Sequence, residues 1–266
     1  MLAAVAEGAV VLTATHHLAH LLSAAHDAQQ LAAGRTAWPT ATILPLPAWL
    51  ARTWRETWPA EHLLGEAQAV AAWELAVRAD DTRCGPELLS EGAAARLAYE
   101  ASALATAHRL PDEVGLDSTD EYEALRRWRR RFRALCRSRD WLDPGDLTDR
   151  VITGITRGTI RAPSRLLMAG FDDVPPSTQE LLDALRRAGS LVELWQRAAF
   201  ESPPPTLVTA ADEREEIRLV AEWVRRTWRP GRQLGVIVPD LERRREVLER
   251  ILAAELSPAS LAAPFT

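Results

Sequence analysis

Apolar residues in the first part of the chain alternate between short continuous runs and helix-like stripes. The runs predict strands that are buried on both faces, and the stripes, with leucines three or four residues apart, predict amphipathic helices. Pro47 stands at the first turn of the second helix, where a missing N–H costs no hydrogen bond. In order, the predicted elements are a strand at 9–15, a helix at 17–33, a strand at 42–46 and a helix at 48–58.

The same alternation returns in the middle of the chain. The apolar run 166–168 predicts a strand buried on both faces. Ser177 is the predicted N-cap of a helix over residues 178–187, and Gly189 is the predicted C′ residue that ends it. A second strand at 190–195 completes a strand–helix–strand unit, which is a building block of parallel sheets.

Between these two regions, residues 62–158 show helical periodicity almost throughout. Asp143 is the predicted cap of the last helix, with Pro144 at its first position. A helical segment between two strand-and-helix regions has the organisation of an insertion into an α/β domain. The first three predicted helices cover residues 63–79, 87–110 and 121–139.

The C-terminal part repeats the strand–helix pattern after a proline-rich linker at 202–205. It is predicted to contain strands at 206–209 and 234–238 and helices at 212–228 and 241–254. These elements are too few to bury the edges of a sheet, so the chain is predicted to be a fragment of a longer protein. The predicted organisation is therefore 1–61 and 159–201 as one α/β domain, 62–158 as its insertion, and 206–266 as the truncated start of a second domain.

The composition, at 47% hydrophobic and 26% charged residues over 266 residues, is that of an ordinary globular protein. The sequence contains no apolar run long enough for a membrane span and no basic leader, which predicts a cytoplasmic protein without membrane contact. Cys84 and Cys136 are expected to be free thiols. The formal charge of −5 gives no global attraction to nucleic acid, so any contact with DNA must be local.

The strongest local charge lies in the predicted helix 121–139, where eight arginines fall within residues 126–139. Arginines that project from one helix can contact successive phosphates. The alternative is a solvated face whose arginines pair with some of the 37 acidic residues of the chain. The candidate DNA-binding residues are Arg126, Arg127, Arg129, Arg130, Arg131 and Arg133.

A second candidate site follows the strand at 166–168, because functional loops of parallel sheets lie at the carboxyl ends of strands. Asp172 and Asp173 in this loop could hold a divalent cation near a phosphate, or they could cap the next helix in water. His16 and His20 lie four residues apart, but two ligands do not make a metal site, and no cysteine–histidine spacing fits zinc. No metal or cofactor is predicted for this chain.

The sequence 165–195 resembles the Walker B region of the UvrD/RecB group of helicases, in which an apolar strand runs into an acidic pair. AddB-type relatives have Asp-Gly-Phe there, and this chain has Ala169, Gly170 and Phe171, followed by Asp172 and Asp173. The segments VVLTATHHLAHLL and GRTAWPTATILPLPAWLARTW resemble the opening segments of the family called probable DNA repair proteins. Members of that family join a degenerate helicase-like region to a C-terminal nuclease of the PD-(D/E)XK type.

The resemblance implies a RecA-like parallel sheet with a helical insertion and the start of a second RecA-like domain, but without ATPase chemistry. Ala169 and Gly170 stand where an ATPase has its metal-binding and catalytic acids, and the chain has no Gly-x-x-x-x-Gly-Lys-Ser/Thr loop. All 32 basic residues are arginine, which excludes a lysine-dependent nuclease or phosphate-loop site within the chain. No Gly-x-Ser-x-Gly elbow of a hydrolase occurs either.

The predicted function is a non-catalytic, helicase-like DNA-binding scaffold of a DNA repair or recombination exonuclease. Its expected partners are single-stranded or forked DNA and the C-terminal nuclease domain of the same protein. The alternative is a protein–protein interaction scaffold whose arginine-rich helix docks an acidic partner.

Overall fold

The computed structural model describes residues 2–80, 90–111, 119–195, 204–232 and 234–256. The chain divides into two compact units, Met1–Ala198 and Ala199–Thr266. The first unit contains a parallel sheet covered by helices, so the predicted mixed α/β class is confirmed. Among the described residues, no helix combines the length and the apolar character that crossing a membrane requires.

The described elements of the first unit are named here in chain order. They are α1 (Leu2–Ala6), β1 (Val10–Thr13), α2 (His16–Ala32), β2 (Ile43–Pro45), α3 (Leu46–Arg55), β3 (His62–Leu63), α4 (Glu66–Arg78), α5 (Glu91–Ala107), α6 (Asp120–Ser138), β4 (Trp141–Leu142), a 3₁₀ turn (Pro144–Asp146), α7 (Leu147–Thr156), β5 (Arg165–Ala169), α8 (Pro176–Arg187) and β6 (Leu191–Trp195).

The main sheet has the strand order β2-β1-β5-β6, and all of its described strands are parallel. Val11 pairs with both Ile43 and Leu167, and these side chains lie on the face that α1 and α2 cover. Leu12 and Met168 point to the opposite face, against α3, α7 and α8. Because both faces are covered, the central strands are continuous apolar runs rather than alternating ones.

The ends of the helices follow local chemistry. Thr15 caps α2 by accepting a hydrogen bond from the Leu18 N–H at 3.2 Å. Gly189 ends α8 with φ +95°, as the sequence predicts. The predicted N-cap at Ser177 is wrong: the cap residue is Pro175, and Ser177 is buried in the first turn of α8. Proline at the first position lets the helix start two residues earlier, since its fixed φ suits a helix.

Helices α4, α5 and α6 pack on one another around their own core, which we call the helical block. Trp73 of α4 stacks on Phe132 of α6, with ring centroids 4.5 Å apart. The two-residue strands β3 and β4 pair in parallel, so the chain enters and leaves the block side by side. Helix α7 packs instead against α3 and α8, in the core of the sheet. The domain boundaries of the sequence analysis stay predictions.

The fourth predicted helix of the insertion begins as a 3₁₀ turn. Asp143 caps that turn by accepting the Gly145 N–H at 3.1 Å, and α7 then starts at Leu147. The cap residue is the predicted one, but the α-helix starts three residues later than Pro144 would give.

The described residues of the second unit contain two helices, α9 (Glu213–Thr227) and α10 (Leu241–Glu255), and no strand. Asp212 caps α9 by accepting the Glu215 N–H at 2.8 Å, as the charge order predicts. The strands predicted at 206–209 and 234–238 are wrong. Among the described residues neither segment pairs with a strand, and Leu207 and Ile237 are 94% and 96% exposed.

Candidate nucleic-acid interface

Helix α6 carries the candidate arginines and is anchored by a buried stripe. Thr119 caps it by accepting the Tyr122 N–H at 3.3 Å, and acidic residues occupy its first turn. Trp128, Phe132 and Cys136 are buried in the helical block at spacings of four residues. Because one stripe is buried, the arginines on either side of it point in two directions.

Arginines on one side of α6 pair with Asp80, which follows α4 and whose side chain is only 7% exposed. The Arg127 Nε and the Trp128 Nε1 donate to its Oδ2 at 3.2 and 2.8 Å, and an Arg131 Nη faces its Oδ1. A nearly buried carboxylate destabilises the fold unless donors pair with it, and the two guanidinium groups are in turn neutralised by this acid. Arg127 and Arg131 therefore hold α6 against α4.

Arginines on the other side of α6 line a groove that runs between α5 and α6. We call it the α5–α6 groove, and its volume is about 480 Å³. Four guanidinium side chains lie along it, and no acidic residue is among the described residues that form its wall. The groove arginines are Arg126, Arg129, Arg130 and Arg133.

The groove arginines differ in how firmly they are held. The Arg129 Nη2 donates to the Thr106 Oγ1 of α5 at 3.1 Å, which fixes that side chain across the groove. Arg126 lies 3.5 Å from Glu123, one turn earlier on α6. Arg130 is exposed and makes no ion pair among the described residues.

Beyond the groove, the same side of α6 continues to Arg137, which is also exposed and without an ion pair in the described part of the chain. Arg139, just after the helix, lies over the ring of Trp141 at 4.9 Å from its centroid. Arg130, Arg133 and Arg137 are spaced three and four residues apart, so they form one ridge along the helix.

The opposite wall of the groove is apolar and comes mostly from α5. Leu104 and Leu110 are 59% and 55% exposed, and Ala101 and Ala105 also line the groove. Tyr122 from the first turn of α6 also lines the groove. A contiguous apolar patch with a polar rim is typical of interaction sites, whereas single exposed leucines are ordinary on protein surfaces.

Asp143 interacts electrostatically with two of the groove arginines, Arg129 and Arg133. The pKa of its carboxyl is raised to about 6, chiefly by burial and in part by the nearby Asp146. The Gly145 N–H, Arg133 and Arg129 act in the opposite direction by stabilising the carboxylate. Burial also raises the pKa of the neighbouring Cys136 thiol to about 11. Cys136 is a free, buried thiol as predicted, whereas Cys84 lies outside the described residues.

The second candidate site, at the carboxyl end of β5, is filled by packing. Ala169 is completely buried, and Gly170 follows with φ +75°. A Cβ atom at Gly170 would lie 2.5 Å from the Leu18 Cδ2 of α2. Asp172 and Asp173 are exposed in the loop beyond. Helix α2 thus packs against Gly170 and fills the space at the carboxyl end of β5.

The connection from β1 to α2 is also short and packed against the end of β5. It consists of Ala14 and Thr15 only, and the Ala14 N–H donates to the Ala169 carbonyl at 3.2 Å. A phosphate-binding loop needs about eight residues between its strand and the lysine-bearing turn of its helix. His16 and His20 are exposed on α2, and no cluster of three His, Cys, Asp or Glu side chains fit for a metal occurs among the described residues.

The sequence indicates the arginines of α6, but it does not show which of them pair with Asp80 and which line the groove. Asp80 lies 47 residues before Arg127, and no sequence pattern joins the two. Leu104 and Leu110 look like core positions of a helix until the packing shows them exposed. A comparison of the sequence with protein-family models and with curated proteins finds no match.

Proposed function

We propose that this chain is a non-catalytic, helicase-like DNA-binding scaffold that belongs to a DNA repair or recombination nuclease. In this proposal the parallel sheet is a RecA-like core that serves as a platform, and DNA lies along the groove side of α6. The nuclease activity would come from a C-terminal domain of the same protein. The observation that carries the proposal is the α5–α6 groove, which four arginine side chains line although the chain has a net charge of −5.

The closed sheet edge supports the non-catalytic part of the proposal. A two-residue connection after β1 and a buried alanine at the end of β5 stand where such an ATPase needs an eight-residue phosphate loop and an acidic residue for magnesium. The order of the sheet, with helices on both faces, is compatible with a RecA-like platform. Fold alone does not fix function, so the arginines of α6 carry the DNA-binding part.

The six candidate arginines contribute unequally to this proposal. Arg127 and Arg131 pair with Asp80, so replacing them would test the stability of the block rather than DNA binding. Arg126, Arg129 and Arg133 face the groove, and Arg130 adds an exposed charge. Arg137, outside the original candidate set, extends the ridge.

A binding experiment with two charge-matched variants tests the proposal. Fluorescence anisotropy of labelled forked DNA is recorded at roughly 50 and 200 mM salt. Replacement of Arg130 and Arg137 by Gln should weaken binding at the lower salt by about tenfold and reduce the slope of log K against log salt by about one to two. Glutamine keeps the side chain long and polar while it removes the charge.

The matched control replaces Arg55 and Arg157 by Gln, because both are exposed on the sheet-bearing part of the unit and make no ion pair among the described residues. This control removes the same net charge and should leave both affinity and salt slope nearly unchanged. Equal losses of affinity in the two variants would show that net charge alone causes the effect. No binding at the lower salt would exclude the DNA-binding function.

The apolar wall of the groove favours a second candidate, a scaffold that docks an acidic protein. Leu104 and Leu110 expose aliphatic surface that a protein helix could bury. An acidic amphipathic peptide is therefore added as a competing ligand in the titration with forked DNA, and displacement of the DNA would favour this second candidate.

A further inference from the structure

The helical block and the sheet of the first unit have separate cores, which meet at the two-residue strands β3 and β4. Leu64 and Trp141 pack in the core of the block, whereas their chain neighbours Leu63 and Leu142 pack in the core of the sheet. Successive residues of an extended chain point to opposite sides, so this strand pair faces one core on each side. Because α4, α5 and α6 all lie between β3 and β4 in the sequence, this joint is the only covalent connection of the block.

Space remains beside this joint. A cleft of about 590 Å³ lies between the end of α6 and the 3₁₀ turn with α7. Arg137 lines the cleft from the block, and Asp146 and Arg150 line it from the other side. Close-packed side chains would resist a rotation of the block, and the cleft leaves room for one.

A second contact holds the block to the helices of the sheet through Arg109, which follows α5. Its Nη1 donates to the Asp149 Oδ2 of α7 at 3.0 Å, and its Nη2 donates to the Glu180 Oε2 of α8 at 2.6 Å. The Arg109 side chain is only 28% exposed. Because the donors of a guanidinium group form a rigid planar fork, one arginine that bonds two helices fixes an angle as well as a distance.

The backbone of Arg109 has a conformation that favours glycine. Its φ is +56°, and the Leu110 N–H donates to the Ala105 carbonyl at 2.9 Å, which is the pattern that commonly places a glycine after a helix. Arginine is strained there, and such strain persists where surrounding contacts hold the residue in place. The bonds to Asp149 and Glu180 are contacts that a glycine could not make.

We propose that the helical block turns as one body on the β3–β4 joint and that Arg109 is the clamp that fixes its angle to the sheet. Both walls of the α5–α6 groove belong to the block, so the clamp also sets the direction in which the groove points. This motion does not depend on the ligand that the groove takes, and it is therefore separate from DNA binding.

Double electron–electron resonance between two spin labels measures the orientation of the block. The labels are attached to Ala71→Cys of α4 and Ala25→Cys of α2, because both positions are exposed and lie on helices that do not carry the clamp. All samples contain Cys84→Ser, and the buried Cys136 is kept. Arg109→Gln should widen the distribution of label distances by about twofold, as expected for a hinge that has lost its lock.

Removal of the two acids tests the clamp from its other side. Asp149→Asn combined with Glu180→Gln should widen the distribution as much as Arg109→Gln does, and the triple variant should widen it no further. The acid variant leaves Arg109 in place, so it decides the question if Arg109→Gln does not fold. Far-UV circular dichroism of each variant verifies that the helices are retained.

Arg96→Gln is the matched control, because Arg96 lies on the same helix and pairs with Glu66 and Glu100, at 3.5 and 3.6 Å, inside the block. It removes a paired arginine without touching the helices of the sheet and should leave the distribution unchanged. Unchanged distributions in the clamp variants, or an equal widening in Arg96→Gln, would overturn the proposed clamp. Loss of DNA binding would concern the proposed function alone.

Discussion

The sequence concentrates functional candidates in two places, the carboxyl edge of the sheet and the arginine side of α6. Side-chain packing fills the first place and leaves a groove beside the second. At the sheet edge, Ala169 is buried and Leu18 lies over Gly170, so the positions of interest are filled. Along α6, a groove of about 480 Å³ remains between the arginines and α5. The difference is one of available space rather than of residue type.

A second difference lies within α6 itself. Arg127 and Arg131 pair with the nearly buried Asp80, whereas Arg126 and Arg130, one residue earlier in each case, face the groove. Neighbouring residues on a helix are about 100° apart, so adjacent arginines serve different surfaces. The arginine-rich helix therefore has two arginines that pair with Asp80 on one side and a row of arginines that line the groove on the other.

We expect the largest effect on stability from replacing Asp80, the acid that pairs with Arg127 and Arg131. Replacement of Asp80 by Ala leaves Arg127 and Arg131 without their carboxylate at a site with little solvent. Discounted for the partial exposure of the two arginines, we expect a loss of about 2–4 kcal/mol in the free energy of unfolding. Urea denaturation followed by far-UV circular dichroism measures it.

The control for this experiment is Arg130→Gln, which removes a charge of α6 that makes no ion pair among the described residues. Its unfolding free energy should stay within about 0.5 kcal/mol of the parent chain. If Asp80→Ala and Arg130→Gln cost the same, the division of the arginines into two groups is wrong.

Much of the fold could be predicted because its signals are local. The runs at 10–13 and 166–168 and the leucine stripe of α8 have clear periods and clear ends. The pair β3–β4 could not be predicted, since strands of two residues carry no period. The runs 206–209 and 234–238 have the composition of buried strands, but a strand also needs a neighbour, which no local pattern supplies.

The candidate site could be predicted only in part. Arginine density locates α6, and its buried stripe gives the orientation of Trp128 and Phe132. Asp80 and Thr106 reach α6 from 48 and 23 residues away, so their contacts depend on how α4 and α5 pack. The apolar wall was invisible for the same reason: a leucine on a helix is exposed or buried according to tertiary neighbours.

A smaller effect, which depends on pH, tests the environment of the groove arginines. Because burial raises the pKa of Asp143 to about 6, folded protein holds a proton there that the unfolded chain, with an ordinary aspartate, releases near pH 4. Ionisation therefore costs stability as pH rises from about 4 to about 6. Asp143→Asn, which can still accept the Gly145 N–H, should remove that cost.

The expected result is a difference between the two proteins that is near zero at pH 4 and grows to about 2 kcal/mol in favour of Asp143→Asn above pH 6. Urea denaturation across this range, with the parent chain measured in parallel, cancels the titration of all other acids. A difference that stays constant with pH would place Asp143 in a more polar environment than its burial indicates.

The smallest expected effect returns to the closed edge of the sheet. Gly170→Ala places a methyl group on a residue with φ +75° and about 2.5 Å from the flexible end of Leu18, which can move aside. The left-handed backbone then dominates, and the loss in the free energy of unfolding should be about 1 kcal/mol.

Gly92→Ala is the matched control, because Gly92 lies inside α5 with no atom within 4 Å of the new methyl. That substitution should stabilise the chain by up to about 1 kcal/mol, since alanine is the better helix former. Opposite signs for the same chemical change are expected from the left-handed backbone at Gly170, and equal signs would contradict that backbone conformation.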